Sequence, residues 1–512
     1  MLPPSYLDQM PDAFVQLWQQ VEDEILQDVA RRIGKMDAVT ATANWQLWRY
    51  QQTEALRNDV VKLLAKYTGK SESTIRRLLL QAATEAMERE DAIYYHYGKE
   101  PQPFEESAAL NNLLDAGARQ TCGTWQNLTA TTANTVTGAF ERTLDAAWGK
   151  VSTGAFDYKT AVKQAVDSLA DGMKFVTYPT GHQDSIEVAA RRAILTGVNQ
   201  TAGKLQVARA DEMGVEFFET TAHGGARPSH AEWQGRQFHR GGAVDYMGKH
   251  YPDFEAATGY GTGAGLCGWN CRHTFFAVFP ELGDPPQWTQ EQLRELNARN
   301  IEWNGKKYTA YEISQMQRAR ERSVRRWKKR YLAEDAAGLD TTDSAVRLKT
   351  ARQSLAEFAQ ATGGRVDSAR ISVPKFGRSE ASRANWAAKD YEKQQKDAII
   401  IENLRTAAKL PKAAVIHLEP TKINVDALTF DDAHINAERE HRVSEEHAKQ
   451  YIRNAKISVS VWNGQFERYY GTEGAAYVNT IKHEIRTAYS RAEFDENTTA
   501  LIEEMKKNGI LG

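Results

Sequence analysis

Apolar residues return every three or four positions from residue 12 to about residue 170, and that spacing commits the first part of the chain to packed amphipathic helices. Phe14, Leu17, Val21, Ile25, Val29 and Ile33 make one apolar stripe. Trp45, Trp48, Leu56, Val60 and Leu64 make a second, and residues 74–87, with the Leu78-Leu79-Leu80 run, make a third. Stripes of this kind need one another as cover, so a helical assembly is expected. Gly69-Lys70-Ser71 has the ending of a phosphate-binding loop, but Leu64 stands where the upstream glycine is required, and the loop reading fails on that residue. The pattern breaks near residues 178–181 (YPTG), and a further helix is predicted from about residue 184 to residue 213, closed by Gly214.

Past Gly214 the texture changes. Residues 215–221 (VEFFETT) fit a strand, and the stretch to Pro280 is loaded with glycine, histidine and aromatic residues. Residues 301–309 (IEWNGKKYT) place an Asn-Gly pair between alternating residues, a hairpin signal, and a helix is predicted from about 311 to 334. That helix crowds Arg318, Arg320, Arg322, Arg325, Arg326, Lys328, Lys329 and Arg330 together. A solvated face is the ordinary explanation; DNA phosphates or an acidic partner are the functional ones. Residues 340–412 give no clear pattern. From about 413 a separate unit is expected: a short helical stretch around His434 to His441, a helix capped by Ser444, then four segments alternating at period two over 456–462, 465–470, 475–481 and 484–489.

Composition narrows the function. With 65 basic and 67 acidic groups the net charge is -2, so no global field draws the chain onto nucleic acid or an anionic membrane, and any DNA contact is local. No apolar run of about 18 residues is present, and residues 1–10 lack the order of a secretory signal, so synthesis and use in the cytosol are expected, with no membrane segment. Three cysteines cannot staple 512 residues, which turns Cys267 and Cys271 toward metal binding or packing.

His223, Arg227, His230, Trp233 and Gln234 cluster before a glycine-rich stretch at 259–268, and Cys267, Cys271 and His273 follow it. Cys267, Cys271 and His273 offer three ligands and His230 or His223 a fourth, the donor set of a structural zinc site. Two alternatives stay open: burial of both cysteines as small apolar groups, with the histidines and Arg272 bonded to loop carbonyls, or a Cys271–His273 nucleophile, which lacks an orienting third group.

Residues 220–235 (TTAHGGARPSHAEWQG) and 265–281 (GLCGWNCRHTFFAVFPE) together resemble the signature of the phage minor capsid protein 2 family, related to the phage Mu F-like and SPP1 minor head proteins. Arg227, Pro228, Ser229, His230, Gln234 and Gly235 match its first element, and Asn270, Cys271, Arg272 and His273 its second, with the likeness spanning roughly residues 1–360. Mu F-like relatives often carry H-P-N-C-R-C at the second element, whereas this chain has Gly268-Trp269-Asn270-Cys271-Arg272-His273, so their metal ligands do not carry over. The resemblance implies a structural protein near the portal vertex of a tailed phage head, with roles in assembly, DNA packaging or DNA ejection, and with portal protein, capsid proteins and packaged DNA as partners.

The end of the chain resembles the barnase, EndoU, colicin and RelE-like nuclease modules that such proteins can carry as toxin-like cargo. That likeness implies an endoribonuclease that needs no metal and acts on RNA, delivered into the host cytoplasm and matched by an immunity protein. His441 is the expected base or acid, with His434 seven positions away on the same helix face; Arg468 and Arg486 are expected to hold the phosphate, and Thr487 or Tyr489 to donate to its oxygens. A purely binding module, a toxin first and capsid protein second, and an ADP-ribosyltransferase are the alternatives; the last lacks an E-x-E pair at Glu484. The expected fold is multidomain: mainly α in the N-terminal half (1–213), an α+β central domain (214–310), a basic helix and connecting helical region (311–412), and a small C-terminal α+β domain (413–512) with a helix packed on an antiparallel β-meander. Structural zinc is the one cofactor suggested.

Overall fold

The apolar stripes become helix contacts in the computed structural model, which describes residues 1–36, 42–172 and 174–511. Helix Asp12–Gly34 buries Phe14, Trp18, Val21, Ile25, Val29 and Ile33 on one face. The Trp18 ring meets Trp125 edge-on at 4.7 Å between centroids. Burying side chains of this size stabilises the fold by about 1.5–3 kcal/mol each. The second and third stripes fall on one continuous helix of 55 residues, Thr42–His96. Gly69-Lys70-Ser71 lies in its interior, and the buried Ser71 hydroxyl accepts a hydrogen bond of 2.8 Å from Trp18 Nε1. Its role is core packing.

Helices Ala108–Ala130, Thr132–Ser152 and Tyr158–Gly172 complete the predicted α region. The break near residue 178 is a small hairpin, Val176–Thr177 with Gln183–Asp184. Helix Ile186–Met213 then starts at Ser185, whose hydroxyl accepts from Val188 N, and ends on the left-handed Gly214. Its inner face buries Leu205 and the alanines Ala189, Ala190, Ala193 and Ala202, the alanines small enough for close packing against its neighbours. Beyond it a three-stranded antiparallel sheet has the order Gln237–His239, Phe217–Thr220, Phe275–Ala277. Phe218, Phe254 and Phe275 pack ring to ring beneath it at 4.9–5.1 Å between centroids.

The Asn-Gly hairpin pairs Ile301–Trp303 with Lys306–Tyr308. Helix Ala310–Ala336 follows with a full capping box from Thr309 and Glu312. Only part of its basic run, Arg322 and the half-exposed Arg326, is the solvated face expected from the sequence. Lys329 pairs with Glu22, Arg325 with Glu187, and Arg330 with Asp167, all across to other helices and all largely buried. Arg326 binds both oxygens of Asp171 at 2.8 Å, and Lys328 donates to Ile371 O. Acidic side chains on the neighbouring helices claim these charges, a long-range complement that no local pattern displays. Residues 340–412 contain two further helices, Thr342–Ala361 and Arg378–Ala407.

The chain divides into two units, Met1–Ala387 and Ala388–Gly512. The second unit is built on a six-stranded sheet in the order Val415–His417, Ile457–Val461, Phe466–Tyr470, Gly474–Asn479, Glu484–Ser490, Thr429–Phe430. The four central strands are the expected meander; Thr429–Phe430 joins it in parallel. Alternation divides the sheet into two apolar faces. Val459, Tyr470, Ala475 and Tyr489 meet Leu501, Ile502 and Met505 of helix Glu496–Lys507, while Tyr469, Ala476, Val478 and Ala488 meet Ile435, Ala448 and Ile452. Helix Glu445–Arg453 is capped by Ser444 as expected.

Candidate metal centre

Three side chains meet at the end of the three-stranded sheet. His230 comes from the one-turn helix Pro228–Ala231, which Pro228 starts with its fixed φ. Cys271 and His273 come from the segment that leaves the glycine-rich loop and enters strand Phe275–Ala277. The loop is wound tightly enough that a Cβ on Gly265 would overlap the backbone of Gly259. Cys267 and Asn270 take left-handed backbone with φ of 59° and 54°, and so the chain turns back on itself before Cys271. Asn199 fixes that segment from the adjacent helix: its buried amide donates 3.0 Å bonds to both Cys271 O and His273 O.

The outer nitrogen of each imidazole is committed. His230 Nε2 lies 2.9 Å from Ala264 O, a group that only accepts, so Nε2 carries the proton. His273 Nε2 lies 3.0 Å from Gln234 Oε1. The same oxygen accepts from His223 N at 3.1 Å while the amide nitrogen of Gln234 donates to Asn297 Oδ1, so His273 Nε2 must donate as well. Burial keeps both rings neutral: it pushes His230 down to about 4 and His273 well below its usual value, with the neighbouring histidines adding to the second shift.

Two bare Nδ1 lone pairs therefore face each other at 3.4 Å, with Cys271 Sγ 3.7 Å from each. A single thiol hydrogen satisfies one of the two nitrogens and leaves the other unpaired. A tetrahedral zinc with Zn–N of about 2.0–2.1 Å and Zn–S of about 2.3 Å holds its donor atoms about 3.3–3.6 Å apart. The donor set and its spacing fit that ion, and the hydrogen bonds to Ala264 O and Gln234 are the outer contacts that orient metal-binding imidazoles.

The structure thus brings together His230, Cys271 and His273 and leaves Cys267 outside. The Cys267 thiol donates toward His273 O at 3.8 Å and packs beside Gly203. Among the described residues no fourth His, Cys, Asp or Glu joins the group. His223 stacks on His273 at 4.4 Å and lies near Gly224 O. Burial pushes the Cys271 thiol up, which disfavours the nucleophile reading. Arg272 bonds Asp8 at 2.8 Å and not the loop carbonyls; Arg227 takes that part through Trp269 O at 2.6 Å. Asn199 carried no sequence signal, because its partners lie more than seventy residues away.

The second unit holds His434 and His441, the other histidines singled out in the sequence. His441 and His434 do not share a helix face as expected: the π-type turn Ala433–Glu438 ends before His441, and Glu440 and Arg442 are both left-handed with φ of 54°. His434 Nδ1 pairs with Glu438 at 2.7 Å, and Arg486 with Asp431, whose other oxygen accepts from His434 N. His441 Nδ1 pairs with Glu493 at 2.7 Å, its ring 5.6 Å from that of Tyr489. The Tyr489 hydroxyl bonds Tyr477 at 2.6 Å and Tyr477 bonds Tyr470 at 3.1 Å, with the Arg468 guanidinium 4.9 Å from the Tyr477 ring. Burial raises all three phenols, Tyr470 to about 12. Thr487 stands opposite Tyr477 in the sheet register. Five of the six residues thus form two groups, His434 with Arg486 and His441 with Tyr489, Arg468 reaching the second through Tyr477, while Thr487 is placed only by its register opposite Tyr477.

Comparison with known proteins places the first unit in the class of phage structural proteins. The sequence model of phage minor capsid protein 2 matches residues 2–360, and the chain belongs to that family. It is also 28% identical over 255 residues to a protein described as "Structural protein" from Lactococcus phage LL-H, an alignment covering 46% of this chain and 63% of that relative. The chain thus spans less than two thirds of that relative's length. No solved structure gives a significant match. Among the described residues no helix is long and apolar enough to cross a membrane.

Proposed function

We propose that the chain serves in the virion as a minor head protein beside the portal, acting in assembly, DNA packaging or DNA ejection, with its central region closed around a zinc ion held by His230, Cys271 and His273. The family match over residues 2–360 is the observation that carries the virion role, and the convergence of three donors whose other hydrogen bonds are already made carries the zinc. Bound there, zinc would draw the Cys271 proton off and tie the 220–235 segment to the 265–281 segment. Three protein donors leave a fourth corner for water or another ligand.

Cross-linking of intact virions followed by mass spectrometry tests the location. Cross-links from residues 1–387 to the portal protein are expected; cross-links confined to tail proteins contradict the placement.

A second reading concerns the last unit, proposed as a metal-independent endoribonuclease acting on RNA, with host delivery and an immunity protein as its consequences. It is favoured by the His441–Glu493 pair beside Tyr489, an imidazole oriented by a carboxylate as base catalysis requires. Incubation of the full chain with bacterial RNA in chelator tests it: fragments ending in 2',3'-cyclic phosphate are expected from the native chain and not from His441→Ala, and intact RNA in both leaves the unit as a binding module.

A further inference from the structure

A cavity of ≈ 600 Å³ opens between helix Ile186–Met213, helix Ala310–Ala336 and the Cys271 segment. Eight arginines line it against three carboxylates, Asp12, Glu187 and Glu321. Five of the arginines are paired: Arg191 with Asp12, Arg192 with Asp184, Arg325 with Glu187, Arg272 with Asp8, and Arg370 with Asp8 and Asp367. Among the described residues no carboxylate lies within ion-pair distance of the other three. Arg227 donates only to Trp269 O, and neither Arg318 nor Arg322 makes a side-chain hydrogen bond. We propose that this cavity is a binding site for a compact di- or oligophosphate, held by Arg227, Arg318 and Arg322.

The chemistry of the lining selects that class. Guanidinium groups do not shed their proton, so charge gathered in a recess has to be met by an anion. Burial and the nearby Arg272 and Arg370 push Arg318 down to about 10 against the pull of Asp8, a carboxylate already shared with those two arginines. Arginine forks match phosphate oxygens in pairs, and three of them suit a ligand with more than one phosphate. Size suits a small molecule: the cavity of ≈ 600 Å³ falls in the range of about 300–1,000 Å³ for such sites. Trp269, more than half exposed at 59%, also lines the cavity and offers a ring face should the phosphates carry a base.

Titration calorimetry of the full chain with inorganic pyrophosphate, at about 0.15 M salt, tests this. Saturable binding is expected, weakened about tenfold or more by Arg318→Gln and by Arg322→Gln, as befits loss of a charge-assisted pair. Arg318→Gln should also raise the melting temperature of the ligand-free chain, because it removes an unneutralised charge; a purely structural arginine would lower it. Arg322 is exposed, so its variant keeps the test open if Arg318→Gln does not fold. Neither residue is a zinc donor, so zinc content measured on the same samples should not change, which separates failure here from failure of the metal reading. Absence of saturable binding, affinity in both variants equal to that of the native chain, or binding of a single-stranded DNA oligonucleotide without binding of pyrophosphate overturns the proposal.

Discussion

In the first unit two imidazoles are each 2% exposed, and each has given its outer nitrogen to an oxygen that can only accept. In the second unit two imidazoles stand partly exposed, and each is closed by a glutamate at 2.7 Å. A surface pair of the second kind is satisfied by itself and contributes about 0–1 kcal/mol. The buried pair is not satisfied: two lone pairs point at one another at 3.4 Å with one thiol hydrogen between them, and such an arrangement calls for a third body. Histidines that look alike in sequence thus differ in what they need, and the hydrogen bonds of the far nitrogen reveal which is which.

The comparison breaks most readily at its buried end. His273→Ala should cost at least about 3 kcal/mol, since it empties a packed position and strands Cys271, His230 and Gln234. Urea unfolding of the full chain measures this, and a loss below about 1 kcal/mol would put His273 on a par with the surface histidines. Asn199→Ala should cost about 1–3 kcal/mol by leaving the buried Cys271 carbonyl unbonded and His273 O with thiol contacts alone, and it should weaken metal retention although Asn199 is not a donor; an unaltered urea midpoint contradicts that.

Asp23 sharpens the same contrast within the helices. Both of its carboxylate oxygens are buried without a hydrogen bond, and burial, with Glu22 and Glu187 nearby, raises it from 3.8 to about 7 against the pull of Lys329 and Lys375. The folded chain therefore keeps a proton that the unfolded chain has lost across that interval, and stability from this group falls as pH rises from about 4 to 7. Asp23→Asn should flatten that fall in melting temperature by several degrees; identical pH profiles for both chains would contradict the assignment. The smallest effect on folding is expected at the exposed end, where His441→Ala should change stability by less than about 1 kcal/mol in the same urea experiment. A larger loss would make the His441–Glu493 pair structural.

Much of this was legible from residue spacing. The stripe from Phe14 to Ile33, the Gly214 terminus, the Asn-Gly hairpin and the meander from Ile457 to Ser490 follow from local periodicity and turn chemistry, and the structure keeps them. The sequence also placed His230, Cys271 and His273 in one neighbourhood. It could not separate Cys267 from them, because that depends on a left-handed turn at Cys267 itself. Nor could it show that Lys329 and Arg330 are spent on Glu22 and Asp167, pairs formed between helices far apart in the chain. The uninterrupted helix Thr42–His96 was not legible as one element, because its two stripes read as separate segments on either side of Gly69, a residue tolerated within a long packed helix. Helix Glu496–Lys507 and the outer strands of the last sheet likewise owe their places to tertiary partners.

The account turns on the three donors, and metal analysis of the purified full chain together with zinc-edge X-ray absorption tests it most directly. The expected result is about one zinc per chain with nitrogen at about 2.0–2.1 Å and sulfur at about 2.3 Å, lost in Cys271→Ser. A chain that stays metal-free when offered zinc, or a bound zinc without sulfur among its neighbours, would contradict it.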